Sequence, residues 1–201
     1  MITQATYQTA NQCIRWMVNS VRVRLNINLA TINIFIAPIS GITALQGGNP
    51  AIYVRQNQMM HAVNNWTREM TEYATAHPHE VIPVNLIQRG TCIIVAETVF
   101  TTWTLMNRCG VLWHELGHAY NEIVARPNTE QNAYLFEVEM LDWAATTNVF
   151  SVNGISATDV LNYLNWRQTQ YNNGITPALT LALAALRTKL PILGRHGFLQ
   201  P

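Results

Sequence analysis

The stretch Val111-Leu112-Trp113-His114-Glu115-Leu116-Gly117-His118-Ala119-Tyr120 decides how the rest of this chain is read. Residues four apart lie on one face of a helix, so the two imidazoles of His114 and His118 point at one spot. Two neutral imidazoles suit a zinc ion, and the glutamate between them is placed to handle a water beside it. The flanks are uncharged and the apolar spacing continues on both sides. The pattern therefore predicts a helix from about Leu105 to Ala125, ending before Pro127.

A catalytic zinc site wants three protein ligands and one open position. A third histidine on the same segment would need the longer pattern HExxHxxGxxH. This chain has Asn121 and Val124 at the two diagnostic positions, which excludes that class. The other common source is a glutamate on the next helix, expected over about Glu130 to Phe150 with Asn128 or Thr129 as its cap. Glu137 and Glu139 are the candidates, about 200° apart on a helical wheel. Ala133, Met140, Leu141 and Ala144 surround Glu137, whereas Asp142 and Thr146 accompany Glu139. A carboxylate at the centre of an apolar stripe is costly unless it is paired or binds metal. Glu137 is the expected third ligand and Glu139 the fallback. The small Ala133 and Ala144 should also let this helix approach the Gly117 side of the first one.

On these residues the chain resembles the gluzincin branch of the zincin metallopeptidases, which combine HExxH with a glutamate on a following helix. The 18 residues from 119 to 136 that separate His118 from Glu137 are similar to the spacing of aminopeptidase-type gluzincins. The run Glu137-Val138-Glu139-Met140-Leu141-Asp142-Trp143-Ala144-Ala145 also resembles small regulatory peptidases that cut repressors, and metalloprotease effectors and lethal-factor-like toxins share the same core logic. The likeness covers about Val111 to Ala145. It implies a zincin-like α+β fold and a zinc-dependent endopeptidase acting on a protein or peptide substrate. Thermolysin-like enzymes carry an acidic residue four positions beyond the ligand, where this chain has Leu141.

In such a site Glu115 would take the proton of the attacking water and pass it to the leaving amine. The oxyanion needs a further donor, for which Tyr134, Tyr120 and His196 are candidates. His61, His77 and His79 have no partner spacing and read as surface or capping residues. The strand expected at Cys92–Ala96 could bind substrate in extended form along an edge.

Outside the motif the front half is mixed and the back half helical. Cys13, Trp16, Met17, Ser20 and Val21 follow helical spacing within Ala10 to Val23. Ile32 to Ile36, Ala51 to Val54 and Cys92 to Ala96 read as strands, with Thr98 to Thr102 continuing or pairing with the last. Met59 to Ala76 reads as a helix. Beyond Asn153-Gly154, the capping pattern of Ser156 and Asp159 opens a helix that closes near Asn173-Gly174. Pro177 starts another, expected to end before Pro191.

The chain has 201 residues, enough for one domain with a real core. Hydrophobic residues make up 49% and charged residues only 11%, so Asn, Thr and Gln must carry the surface. A net charge of +1 offers no electrostatic case for nucleic acid. The longest apolar run, Leu179 to Leu186, is far short of the roughly 20 residues that cross a membrane. Cys13, Cys92 and Cys109 are odd in number and widely spaced, which reads as buried thiols in a reducing compartment, with one pair plus one thiol as the alternative. No basic start with an apolar stretch marks a signal peptide, so a soluble protein is expected, cytoplasmic or translocated by a signal-peptide-independent route. The positive charge is eleven arginines and one lysine, Lys189. Lysine scarcity has a plain explanation in drift or genomic bias, and it also suits a protein that enters foreign cells and escapes ubiquitin tagging, which a cognate inhibitor or immunity protein would accompany. A cytoplasmic regulatory peptidase is the second expectation, and a non-catalytic zincin-like binding module the third.

Overall fold

A computed structural model describes residues 4–27, 29, 33–37, 49–54 and 92–195. They belong to two compact units, one within residues 1–103 and the other within 104–201. The architecture is α+β, mainly helical with one small sheet.

In the first unit, helix α1 spans Gln4–Leu25, longer at both ends than its apolar spacing predicts. Ala10, Cys13, Met17, Ser20 and Val21 are buried along one stripe. The Ser20 hydroxyl satisfies itself by donating to the Trp16 carbonyl at 2.9 Å. Asn26, at φ 55°, ends the helix in the left-handed conformation that asparagine tolerates.

Strands β1 (Asn33–Ala37), β2 (Ala51–Val54) and β3 (Cys92–Ala96) form one sheet in the order β1-β3-β2. β1 runs parallel to β3, from Asn33 opposite Cys92 to Ala37 opposite Ala96. β2 runs antiparallel, from Ala51 opposite Val95 to Val54 opposite Cys92. β3 is buried at all five positions, as a continuous apolar run at the centre of a sheet should be. This overturns the expectation that Cys92–Ala96 pairs with a substrate along an edge, because both of its edges are occupied. The extension at Thr98–Thr102 is also corrected. Residues Glu97–Thr101 form a short helix, α2, which buries Val99 and Phe100. The hydroxyls of Thr101 and Thr102 turn back to the carbonyls of Glu97 and Thr98, a local alternative to strand pairing. The helix expected at Met59–Ala76 lies outside the described residues, with His61, His77 and His79.

In the second unit, α3 spans Leu105–Ile123 and α4 spans Glu130–Thr146. Thr104 and Thr129 cap them by accepting from Asn107 N at 3.2 Å and Asn132 N at 3.3 Å. Ala125 takes φ 55° in the short connection. The expected close approach is present: a Cβ on Gly117 would lie 3.1 Å from Phe136 Cβ and 3.2 Å from Ala133 Cα. α4 ends four residues earlier than expected, and a 3-10 turn at Ser151–Asn153 leads to Gly154 at φ 70°.

Helix α5 (Ala157–Trp166) opens with the expected capping box, Ser156 and Asp159 each bonding the other's backbone. One helix to Asn173 was expected, but the chain breaks at Arg167, with ψ near 0°, before α6 (Gln168–Asn173). Helix α7 runs over Pro177–Arg195, past Pro191 where a stop was expected. Buried Leu179, Leu183, Leu186 and Leu190 hold one stripe up to Pro191, which lacks the N–H of one helical bond in the last turn. α7 packs on α4 and α5, and Lys189 reaches Asp142 at 2.7 Å. Among the described residues no helix is long and apolar enough to cross a membrane. Cys13, Cys92 and Cys109 are buried and form no disulfide, and burial pushes the Cys92 thiol up to about 11.

Candidate metal centre

The two histidines sit one turn apart on the buried side of α3, their rings 5.0 Å between centres and nearly perpendicular. α4 returns against α3, so its first turn comes up beside His118 and its third beside His114. The first residue of α4 is Glu130, and its carboxylate faces both rings. Oε2 is 3.1 Å from His114 Nε2 and Oε1 is 3.4 Å from His118 Nε2. Ligand atoms of His114, His118 and Glu130 all lie within 4.8 Å of one another, a group that could hold a metal ion. Two atoms bound tetrahedrally to zinc at roughly 2.1 Å are about 3.4 Å apart, so a small outward shift of these side chains would admit such an ion.

The outer nitrogens have different partners. His118 donates from Nδ1 to Asn128 Oδ1 at 2.7 Å, and Asn128 Nδ2 donates to Glu122 Oε1 at 3.3 Å. The second bond fixes which way the amide faces, so the proton of His118 sits on Nδ1 and its Nε2 turns toward Glu130. His114 Nδ1 lies 3.3 Å from Glu137 Oε2, an ion-pair distance, but out of line for a hydrogen bond.

Glu137, the glutamate expected as third ligand, lies outside the group of His114, His118 and Glu130. It is fully buried at the centre of the apolar stripe, as its surroundings in the sequence predict. Its oxygens, however, are taken up away from the Glu130 side. Tyr163 donates to Oε1 at 2.7 Å, Tyr171 donates to the same oxygen at 2.5 Å, and Arg167 Nη2 lies 3.2 Å from Oε2. Glu139 is half-buried and outside the group. Nothing in the apolar pattern marked Glu130. Its signal is positional, as an acidic residue in the first turn of a helix that follows the motif helix after a short loop.

Charges follow from these contacts. Burial works against a proton on His114, yet the carboxylates of Glu130, Glu137 and Glu115 outweigh it and lift its pKa to about 9. The two imidazoles hold the Glu130 carboxyl well below the usual carboxylate range. Burial works against the charge of Glu137, but the Arg167 guanidinium and His114 keep its pKa at about 2. Glu115, buried between the histidines in sequence, is raised by desolvation, which the histidines' charges only partly offset. A carboxylate so raised accepts a proton readily.

Tyr134 lies over His114 with ring centres 4.6 Å apart, flanked by Tyr171 and by the Arg167 guanidinium. It is half-buried, and desolvation holds its phenol proton on. Tyr120 stacks instead on Phe136 beneath Arg126. His196 lies outside the described residues. In comparisons with known proteins, no family model, no curated protein and no solved structure matches this chain.

Proposed function

We propose that this chain is a zinc-dependent peptidase in which His114, His118 and Glu130 hold the ion and Glu115 is the general base. The observation that carries the reading is the convergence of two imidazole nitrogens and one carboxylate beside a buried glutamate of raised proton affinity. A His2Glu donor set is that of catalytic rather than structural zinc, which leaves a fourth position open. When bound, the ion would acidify a water to a pKa of about 7 and polarise the scissile carbonyl.

The residues supply the rest. Glu115 takes the proton from the attacking water and delivers it to the departing amine. Tyr134, stacked on His114 with its proton retained, offers the hydroxyl that steadies the oxyanion. The plan is that of gluzincin-type peptidases, with the ligand glutamate nearer the motif.

Elemental analysis and peptide-library digestion test it together. Wild type should carry about one zinc per chain and cleave. Glu115→Gln should keep the zinc and lose cleavage by about a thousandfold or more. Glu130→Ala should lose the zinc. Cleavage by Glu115→Gln, or full zinc in Glu130→Ala, would overturn the assignment.

Lysine scarcity favours a setting in which the protein works inside a foreign cell, cutting a host protein and restrained at home by an inhibitory partner. Expressed in host cells, wild type should slow growth and Glu115→Gln should not. Equal growth would argue for a regulatory peptidase acting in its own cytoplasm.

A further inference from the structure

The buried cluster around Glu137 is built at a cost that a plain core position would not require. A carboxylate and a guanidinium are both withdrawn from water, and two phenols are aimed at the same oxygen. A carboxylate offers about four acceptor directions. Tyr163, Tyr171 and Arg167 fill three of them, and Oε2 also lies at an ion-pair distance of 3.3 Å from His114 Nδ1. That nitrogen is wholly buried and has no aligned hydrogen bond of its own. Tyr134 closes the face of the same ring.

The scaffold makes room for this arrangement. Tyr163 reaches Glu137 across α3 at Gly110, one turn before His114, and any Cβ there would run into its ring. Gly174 gives similar room to Tyr134, whose ring would lie 2.7 Å from an added Cβ. Two glycines thus admit the two tyrosines that wall His114 and its glutamate. The one acceptor direction left on Glu137 belongs to Oε2, and that oxygen lies beside His114 Nδ1.

We propose that Glu137, anchored by Arg167, Tyr163 and Tyr171, is a positioning residue for His114: it holds the imidazole proton on Nδ1 and leaves the Nε2 lone pair for the metal. The inference rests on the metal site proposed above and goes beyond it by giving the glutamate at the gluzincin-like spacing a role other than ligand. Outer partners of this kind orient the ring and raise its basicity, and their loss lowers metal affinity by about 10–100-fold. Arg167 balances the charge, so the carboxylate stays ionised without adding net negative charge to the core. His118 receives the same service from the neutral Asn128, so the two imidazoles are oriented by unlike partners.

The experiment uses the full chain labelled with [15N]histidine and loaded with zinc, read by long-range proton–nitrogen NMR and by chelator competition. His114 should show a protonated Nδ1 and a zinc-bound Nε2. Glu137→Gln should still take up one zinc, but about 10–100-fold more weakly, and its Nδ1 proton should exchange faster with water. Tyr163→Phe, which keeps the ring in its slot, should weaken binding by a few-fold. Zinc on Nδ1 of His114 would overturn the proposal. So would a Glu137→Gln variant that binds like wild type, or one that loses zinc as completely as Glu130→Ala. If Glu137→Gln does not fold, the ring nitrogens of the wild type decide the question alone. Neither readout requires hydrolysis: a chain that binds zinc this way and cuts nothing overturns the peptidase and leaves this role standing.

Discussion

At the scale of single residues, this chain uses glycine to bring large polar side chains to a buried charge. Gly110 is the sharpest case, because a methyl group there collides with the Tyr163 ring rather than with a flexible tip. Overpacking of a rigid ring costs about 1–3 kcal/mol, and a displaced Tyr163 also leaves Glu137 short of one donor. Gly110→Ala should therefore lose about 3 kcal/mol or more in urea unfolding. Placed beside Tyr163→Leu in a double-mutant cycle, it should be strongly non-additive. A Gly110→Ala protein as stable as wild type would mean that Tyr163 does not occupy the slot. Glu137 was visible in the sequence as a misfit on an apolar stripe, but the same misfit suits either a ligand or a buried ion pair. Its partners lie 26 to 34 positions further on, where no local pattern marks them.

At the scale of elements, the α3–α4 pair is the unit that assembles the site. Thr104 and Thr129 cap the two helices in the same way, but only Thr129 precedes a proposed ligand directly. Removing either cap should cost about 1 kcal/mol. Thr129→Ala should also loosen the turn that aims Glu130, and so weaken zinc binding several-fold, whereas Thr104→Ala should leave it unchanged. Equal zinc affinity in the two variants, measured by chelator competition, would separate the cap from the site. The starts of α3, α4, α5 and α7 and the three strands were legible in the sequence because caps, β-branched runs and apolar periodicity act locally. Thr98–Thr102 was misread because a short segment of threonine, valine and phenylalanine suits a strand by propensity, and packing made it a helix. α7 continues only one turn beyond Pro191, so the missing N–H costs a single helical bond near its end.

At the scale of the whole molecule, the buried charges tie stability to pH. Glu137 has a folded pKa of about 2, below its ordinary value of 4.5. It therefore stabilises the fold above about pH 4.5, and that support is lost as pH falls toward 2. His114 has a folded pKa of about 9, above its ordinary 6.5. Its contribution is complete below about pH 6.5 and is lost as pH rises through 9. The metal-free protein should thus melt highest between about pH 4.5 and 6.5 and decline on both sides. Zinc should change the alkaline limb, because the ion competes with the proton on His114 and binds better as pH rises. Thermal melts with and without zinc at pH 5, 7 and 9 would show the two curves diverging with pH. Curves that stay parallel would mean that His114 does not meet the ion.

Residue order alone places two imidazoles on one helix face with a glutamate between them, a second helix after it, and Glu137 on that helix's buried side. Those features need only a helical period and a hydrophobic stripe. Which carboxylate faces the imidazole Nε2 atoms was decided by the tertiary structure alone. The tight return after α3 lays the first turn of α4 beside His118, and Tyr163, Arg167 and Tyr171 arrive from helices far along the chain to occupy Glu137. Local sequence sets which residues are on a face, while only packing sets what each face meets.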